Sequence, residues 1–263
     1  MITTVEVLFT PAEIALLATQ NLSRTSCVVF DILRATSVFV TALANGADAV
    51  RPVTEIAEAL AARRHEPELL LAGERQGLRL RASDTGGVDF DFGNSPREFT
   101  SEAVRGRRIV STTTNGTRAL RACTGGRQTF AGSFLNLVAT AKHFGQLAPE
   151  RVLLVCAGTG EALALEDVLA AGAFSSALQV IGLKTHLTDS AHIATRAFRT
   201  ADTSLADALA NSTNGRRLLA IPELREDVAY CARRDVADVV VELNTEGWLQ
   251  RVGDKSPGPA LTE

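Results

Sequence analysis

The chain of 263 residues is 46% hydrophobic and 22% charged, with a formal net charge of -3 and a pI near 5.9. This length and composition support one large α/β domain or two small ones without help from disulfides or metal. The acidic balance excludes a bulk nucleic-acid binder, so an anionic ligand has to be met by a local cluster of Arg and backbone N–H groups. No charged-then-apolar leader opens the sequence and no apolar run approaches a membrane span, which predicts a soluble cytoplasmic protein without a membrane partner.

Cys27, Cys123, Cys156 and Cys231 are widely separated and form no C-x-x-C pair, which predicts buried free thiols. His65, His143, His186 and His192 show no metal-ligand spacing. In chain order, residues 5–9 read as a strand and residues 11–19 as a helix with Pro11 at its start. Cys27-Val28-Val29-Phe30 is an apolar run typical of a strand buried on both faces of a parallel sheet. It stops at Asp31, and a helix over residues 35–44 follows, closed by Asn45-Gly46. Asp31 and Arg34 thus fall at the carboxyl end of a buried strand, where open α/β sheets place their ligand chemistry. A strand over residues 49–53 and a helix capped by Thr54 lead to a buried strand at residues 69–72, which ends in Gly73-Glu74-Arg75. Residues 76–96 have little periodicity, and a loop of that length is expected to be functional or mobile. A helix over residues 97–104 follows.

Residues 108–118, Arg-Ile-Val-Ser-Thr-Thr-Thr-Asn-Gly-Thr-Arg, compress a strand, a tight turn and a helix start. The first N–H groups of a helix are unpaired and lie at the positive end of its dipole, which makes such a junction an anion site. Thr113, Thr114, Asn115, Gly116, Thr117 and Arg118 are the donors expected to hold a phosphate-sized ligand. The competing reading is structural, because Thr favours strands and Asn-Gly favours turns. A strand at residues 128–132 runs into Ser133-Phe134-Leu135-Asn136 and a helix to residue 146. The strand at residues 151–157 ends in Gly158-Thr159-Gly160-Glu161, with Glu166 and Asp167 beyond it. Residues 168–234 read as largely helical, broken at Asn214-Gly215; residues 237–243 and 248–252 form a C-terminal β-hairpin. The expectation is an α/β domain over residues 1–252, in one body or two lobes, with a mostly parallel or mixed sheet covered on both faces. Residues 253–263 read as a flexible tail.

Strand ends thus carry acids (Asp31, Glu74, Asp91, Glu161, Glu166, Asp167) and donors (Arg34, Arg75, Thr112 to Thr114, Asn115, Thr117, Arg118, Ser133, Asn136 and the backbone of Gly158 to Gly160). A divalent cation bridging carboxylates to a phosphate reconciles the two, and magnesium, which takes oxygen ligands, suits the role. Asp31 and Arg34 have a plainer alternative as a helix-capping acid and its neighbour. Gly158-x-Gly160 is a poor dinucleotide fingerprint because Leu163 stands where a third small residue belongs. Cys156 does not fit a cysteine-phosphatase loop, since Ala162 occupies the position of the required Arg.

The ordered segments Asp31-Ile-Leu-Arg-Ala-Thr36, Gly73-Glu-Arg75, Phe90-Asp-Phe-Gly-Asn-Ser-Pro96, Thr112-Thr-Thr-Asn-Gly-Thr-Arg-Ala119, Gly132-Ser-Phe-Leu-Asn136 and Cys156-Ala-Gly-Thr-Gly160 resemble the 2-phosphosulfolactate phosphatase family, the magnesium-dependent phosphatases of coenzyme M biosynthesis. The resemblance implies a three-layer α/β/α fold, a Mg2+ cofactor, hydrolysis of a small anionic phosphate ester, and a homodimer. Expected roles on this basis are magnesium on Asp31, Glu74 and Glu161 or Asp167, and the phosphoryl group against residues 113–117 with Arg34 or Arg75. The other Arg or Arg118 would meet a second anionic group, with Ser133, Asn136, Gly158, Thr159 and Gly160 as further binding positions. Asp31 is the nucleophile candidate if a phosphoenzyme forms. The competing class is a non-catalytic sensor or binding protein for a phosphorylated or sulfonated metabolite. Asp31, Glu74, Glu161 and Asp167 favour catalysis over it, because a pure anion binder gains nothing from added negative charge.

Overall fold

The computed structural model describes residues 2–253. β1 (Thr3–Leu8) leads through α1 (Pro11–Ala15) to β2 (Thr25–Phe30), all of whose residues are buried. α2 (Ala35–Ala44), β3 (Ala49–Val53), α3 (Ile56–His65) and β4 (Leu70–Arg75) follow as the alternating pattern predicts. The aperiodic residues 76–96 fold back on β4: β5 (Leu78–Arg79) pairs with it antiparallel, and α4 (Ala82–Thr85) is one short turn. The helix expected at residues 97–104 reduces to α5 (Ser101–Val104), capped by the Thr100 hydroxyl. β6 (Arg108–Thr112), α6 (Gly116–Ala122), β7 (Gln128–Gly132), α7 (Leu137–Leu147) and β8 (Arg151–Cys156) complete the alternation.

After β8 come α8 (Leu165–Val180), the short β9 (Thr185–Leu187), and α9 (Asp189–Ala201), α10 (Leu205–Ala210), α11 (Thr213–Leu219) and α12 (Arg225–Cys231). Asn214-Gly215 does not break this region; it lies inside α11, where the Ser212 hydroxyl accepts the Gly215 N–H at 3.0 Å and starts the helix. The expected terminal hairpin is present as β10 (Val241–Leu243) and β11 (Leu249–Arg251). The tail expected from residue 253 onward lies, apart from Gly253, outside the described residues.

The strands form one mixed sheet in the order β5-β4-β6-β3-β11-β10-β7-β2-β8-β1-β9. Two parallel blocks, β4-β6-β3 and β7-β2-β8-β1-β9, flank the hairpin, and each of its outer pairings is antiparallel. The blocks therefore run in opposite directions. Alternate side chains of the strands feed two faces: Val28, Phe30, Phe130 and Leu154 pack with α7, α8 and α9, whereas Cys27, Val29, Ala131 and Val155 pack with α1, α2 and α6. In the other block, Leu71 and Val110 join Ala59 of α3 and Trp248, while Ala72 and Ile109 face α2. Helices on both faces make this a three-layer α/β fold.

α8 and α9 pack in close contact. A Cβ on Gly172 would lie 2.0 Å from the Ala194 carbonyl oxygen and 2.9 Å from Phe198 Cβ, so only glycine permits this approach. Gly172→Ala is expected to lower stability by about 1–3 kcal/mol, on the scale of core overpacking, although Ala is the better helix former. A urea midpoint at or above that of the wild type would show that the helices do not meet in this way.

Candidate active site

Asp31 follows β2 directly and is held at both its backbone and its carboxylate. The Thr36 hydroxyl accepts the Asp31 N–H and donates to its carbonyl, each at 3.0 Å, and Asp31 Oδ1 accepts the Ala35 N–H at 3.1 Å. Gly116, the first residue of α6, sits against the same carboxylate: a Cβ there would lie 2.7 Å from Asp31 Oδ2 and 2.7 Å from Ala35 Cβ. Asp31 thus lies between the starts of α2 and α6. Burial pushes its carboxyl up from 3.8 to about 7; the Ala35 and Gly116 N–H groups oppose the rise, while Glu74 and Glu166 add to it.

Glu74, near the end of β4, braces the turn after β6. Its Oε1 accepts the N–H and hydroxyl of Thr114 at 3.0 and 2.9 Å, and its Oε2 accepts the Gly77 N–H at 2.7 Å. The turn Gln76-Gly77, with φ of 55° and 85°, is the left-handed kind that joins tight hairpins. Its Gly77 carbonyl accepts from Arg34 at 2.7 Å. Arg34 is buried and donates its other arm to Asp227 of α12 at 2.6 Å. Asp227 Oδ1 also accepts from the Ser95 hydroxyl at 2.7 Å and Arg97 Nε at 2.8 Å. Arg75 differs from Arg34. Among the described residues it donates only to neutral oxygens, the Glu74 and Thr54 carbonyls and the Thr112 hydroxyl, and to no carboxylate.

Asp31, Arg34, Glu74, Arg75 and the Gln76-Gly77 turn line one cavity of about 310 Å³, at the small end of ligand pockets, roughly 300–1,000 Å³. Of the residues expected from sequence, Asp31, Arg34, Glu74, Arg75, Thr113, Thr114, Asn115, Thr159 and Gly160 lie on its wall. The others do not. Thr117 is fully buried, its hydroxyl donating to the Thr113 carbonyl at 3.0 Å. Arg118 and Glu161 are exposed and line a separate hollow beside α1. Ser133 and Asn136 are buried: Ser133 accepts the Leu135 N–H, and Asn136 accepts the Ser133 N–H and donates to the Val239 carbonyl. Asp167 is buried behind the wall, its Oδ1 accepting the Ile32 N–H at 2.8 Å and its Oδ2 the Gly158 N–H at 3.1 Å. It ties the ends of β2 and β8 together, and burial, with Glu166 and Asp31 nearby, pushes its carboxyl well above the ordinary range.

The junction at residues 108–118 also differs from the open anion cradle its sequence suggests. The Thr114 N–H is taken by Glu74, the Gly116 N–H faces Asp31, and the Thr117 N–H points at the Thr113 hydroxyl at 3.4 Å. The protein's own carboxylates occupy donors that the sequence offers to a ligand.

A model of the 2-phosphosulpholactate phosphatase family matches residues 9–246. The chain belongs to this family. Proteins described as probable 2-phosphosulfolactate phosphatases are similar to it: one from Thermotoga petrophila is 38% identical over 83% of this chain and 88% of the relative. Those from Thermotoga maritima and Symbiobacterium thermophilum are 37% and 35% identical, over 83% and 87% of this chain and 88% and 94% of the relatives. Among the described residues no helix is long and apolar enough to cross a membrane.

The site of this family member includes residues that the sequence motifs did not expose. Asn94, Asn214, Arg217 and Leu218 also line the cavity. Asn214 donates to the Thr159 hydroxyl at 2.6 Å and to Glu166 Oε1 at 2.7 Å, while Glu166 Oε2 and Asn214 Oδ1 are buried without a hydrogen-bond partner. Asn94 lies within a segment that the family resemblance covers, so its signal was available. Asn214 was hidden by its Asn-Gly turn signature, and Arg217 and Asp227 carry no sequence signal.

The raised Asp31 value sets the sign of a pH effect. The folded carboxyl keeps its proton between 3.8 and about 7, while the unfolded one has released it, so stability falls as pH rises through that window. In protein stripped of divalent ions, the thermal midpoint is expected to drop between about pH 4 and pH 7, and Asp31→Asn to flatten the slope. An unchanged slope in the variant would remove Asp31 as its source.

Proposed function

We propose that this chain is a magnesium-dependent phosphoric monoester hydrolase acting on a small acidic phosphate ester, 2-phosphosulfolactate or a close analogue, to give the hydroxy acid and phosphate. The observation that carries the reading is the pairing, on one small cavity, of the buried Asp31 carboxyl with Arg75, a cation that no carboxylate neutralises. The family membership and the names of its relatives support the substrate class.

Arg75 is the group that holds the phosphoryl oxygens, since its planar fork suits them and its charge is uncompensated. Thr113 and Asn115 orient the ester beside it. Arg34 serves mainly to fix the Gln76-Gly77 turn against α12, because Asp227 already neutralises it. The small volume excludes bulk water and polymeric esters and strengthens each charge interaction within it.

The donor set fits a hard cation in part. Among the described residues no group of three or more His, Cys, Asp or Glu is arranged to hold a metal ion by itself. Magnesium commonly takes one or two carboxylates and completes its shell with water and phosphate oxygens. Asp31, on the cavity, and Glu166, buried behind its wall with Oε2 unpartnered among the described residues, are the residues that would hold it. Glu74 and Asp167 have both oxygens engaged by N–H groups, and Glu161 lies outside the cavity. When bound, magnesium neutralises charge on the phosphoryl group and acidifies water.

Phosphate release from 2-phosphosulfolactate and related acidic esters is expected with magnesium and not with a chelator. Asp31→Asn and Arg75→Ala should each lower kcat/KM by about 10²–10³, the scale of a lost transition-state charge partner. Arg34→Ala should instead mainly lower stability, by removing the buried partner of Asp227 Oδ2 and leaving only Ser95 and Arg97 on its other oxygen. Tight, magnesium-independent binding of these anions with no phosphate released from any ester would overturn the enzyme reading in favour of a sensor.

A further inference from the structure

Arg217 is a cation on the cavity wall for which neither the motifs nor the proposed chemistry has a use. It is exposed, and no hydrogen bond, ion pair or ring contact holds it among the described residues. Its helix, α11, is nevertheless firmly seated. Ser212 caps it, Gly215 lets the Leu209 carbonyl come within 1.8 Å of where a Cβ would stand, and Asn214 is bonded to Thr159 and Glu166. Residues three and four apart share a helix face, so anchoring Asn214 fixes the direction in which Arg217 and Leu218 are presented. All three line the cavity.

The charges on the wall show what such a cation is for. Asp31 and Glu74 repel any second anionic group on a substrate, Arg34 is neutralised by Asp227, and Arg75 is committed to the phosphoryl group. An ester with only a phosphate leaves Arg217 unused. We propose that Arg217 binds a second anionic group, a sulfonate or a carboxylate borne on the carbon skeleton of the ester, and so selects phosphate esters of acidic metabolites over neutral ones. This rests on the phosphatase reading of the same cavity. A planar guanidinium suits either group through paired N–H donors, and an exposed one is free to close over the ligand at the cavity mouth.

The test uses the full chain with magnesium. Calorimetry would compare sulfolactate, lactate and inorganic phosphate as ligands of the wild type, Arg217→Ala and Arg217→Lys. Arg217→Ala should weaken sulfolactate at least about tenfold more than inorganic phosphate, the scale of a lost charge-assisted bond, and Arg217→Lys should restore part of the difference. Loss on sulfolactate but not lactate assigns the sulfonate; loss on both assigns the carboxylate. In turnover, the variant should show a KM-weighted loss about tenfold greater on 2-phosphosulfolactate than on phenyl phosphate. Equal losses on both ligands and both esters, or no binding of sulfolactate by the wild type, would overturn the assignment while leaving a phosphatase in place. Arg217-dependent sulfolactate binding without turnover of any ester would sink the phosphatase reading and keep the anion site.

Discussion

The contact between Asp31 and Gly116 is the constraint on which the rest of the site depends. β2 and β6 belong to parallel blocks of opposite direction, five strand steps apart in the sheet. At roughly 4.8 Å per step a flat sheet would hold the two strands some 24 Å apart, with their carboxyl ends at opposite edges. The approach of Gly116 to Asp31 therefore requires a strongly coiled sheet, and the ordinary twist of roughly 20–25° per strand acts in that sense. Only a residue without a Cβ can then start α6, because both Asp31 Oδ2 and Ala35 Cβ fill the space where one would stand. Two helix starts directed at one carboxylate partly offset its burial, and the remainder appears as the carboxyl near 7.

The other buried charges brace the wall around that contact. Glu74 joins the turn of β4 and β5 to the turn after β6, and Asp227 joins α12 to Arg34, Ser95 and Arg97. A buried ion pair stabilises little by itself, yet removing one partner is costly. The buried Arg34–Asp227 pair, with Ser95 and Arg97 completing its hydrogen bonds, therefore specifies where the wall stands more than it adds to stability. Arg34 is a positioning group seen from the cavity, and Arg75 is the cation with charge to spare.

The alternation of buried strands and amphipathic helices made the layers legible, because continuous apolar runs such as residues 27–30 have few other readings. The C-terminal hairpin was legible too, but its place at the centre of the sheet was not. Periodicity reports which residues are buried and says nothing of strand order, so the reversal of direction between the blocks has no local signature. The strand-end acids and arginines were found by position alone. What position could not separate was a donor facing a ligand from one facing the protein's own carboxylate, as at Thr114 and Gly116, or a cap such as Ser133 from a binding residue. Arg217 escaped for the opposite reason: it stands on a short helix among many polar residues, and only the fold brings that helix to the cavity.

The carboxylates themselves give the last step. Asp31, Glu74, Glu166 and Asp167 are all buried, and none of them pairs with an Arg or Lys of the chain within ion-pair distance among the described residues. Backbone N–H groups satisfy Glu74 and Asp167, whereas Glu166 keeps one oxygen without a partner. Replacing Glu74 or Asp167 by an apolar residue would leave the N–H groups they accept without partners, whereas the second oxygen of Glu166 satisfies no donor among the described residues. Burial favours the protonated form at Asp31 and Asp167. On the proposed reading, a cation bound beside Asp31 offsets the charge of the wall and of a highly negative ester together.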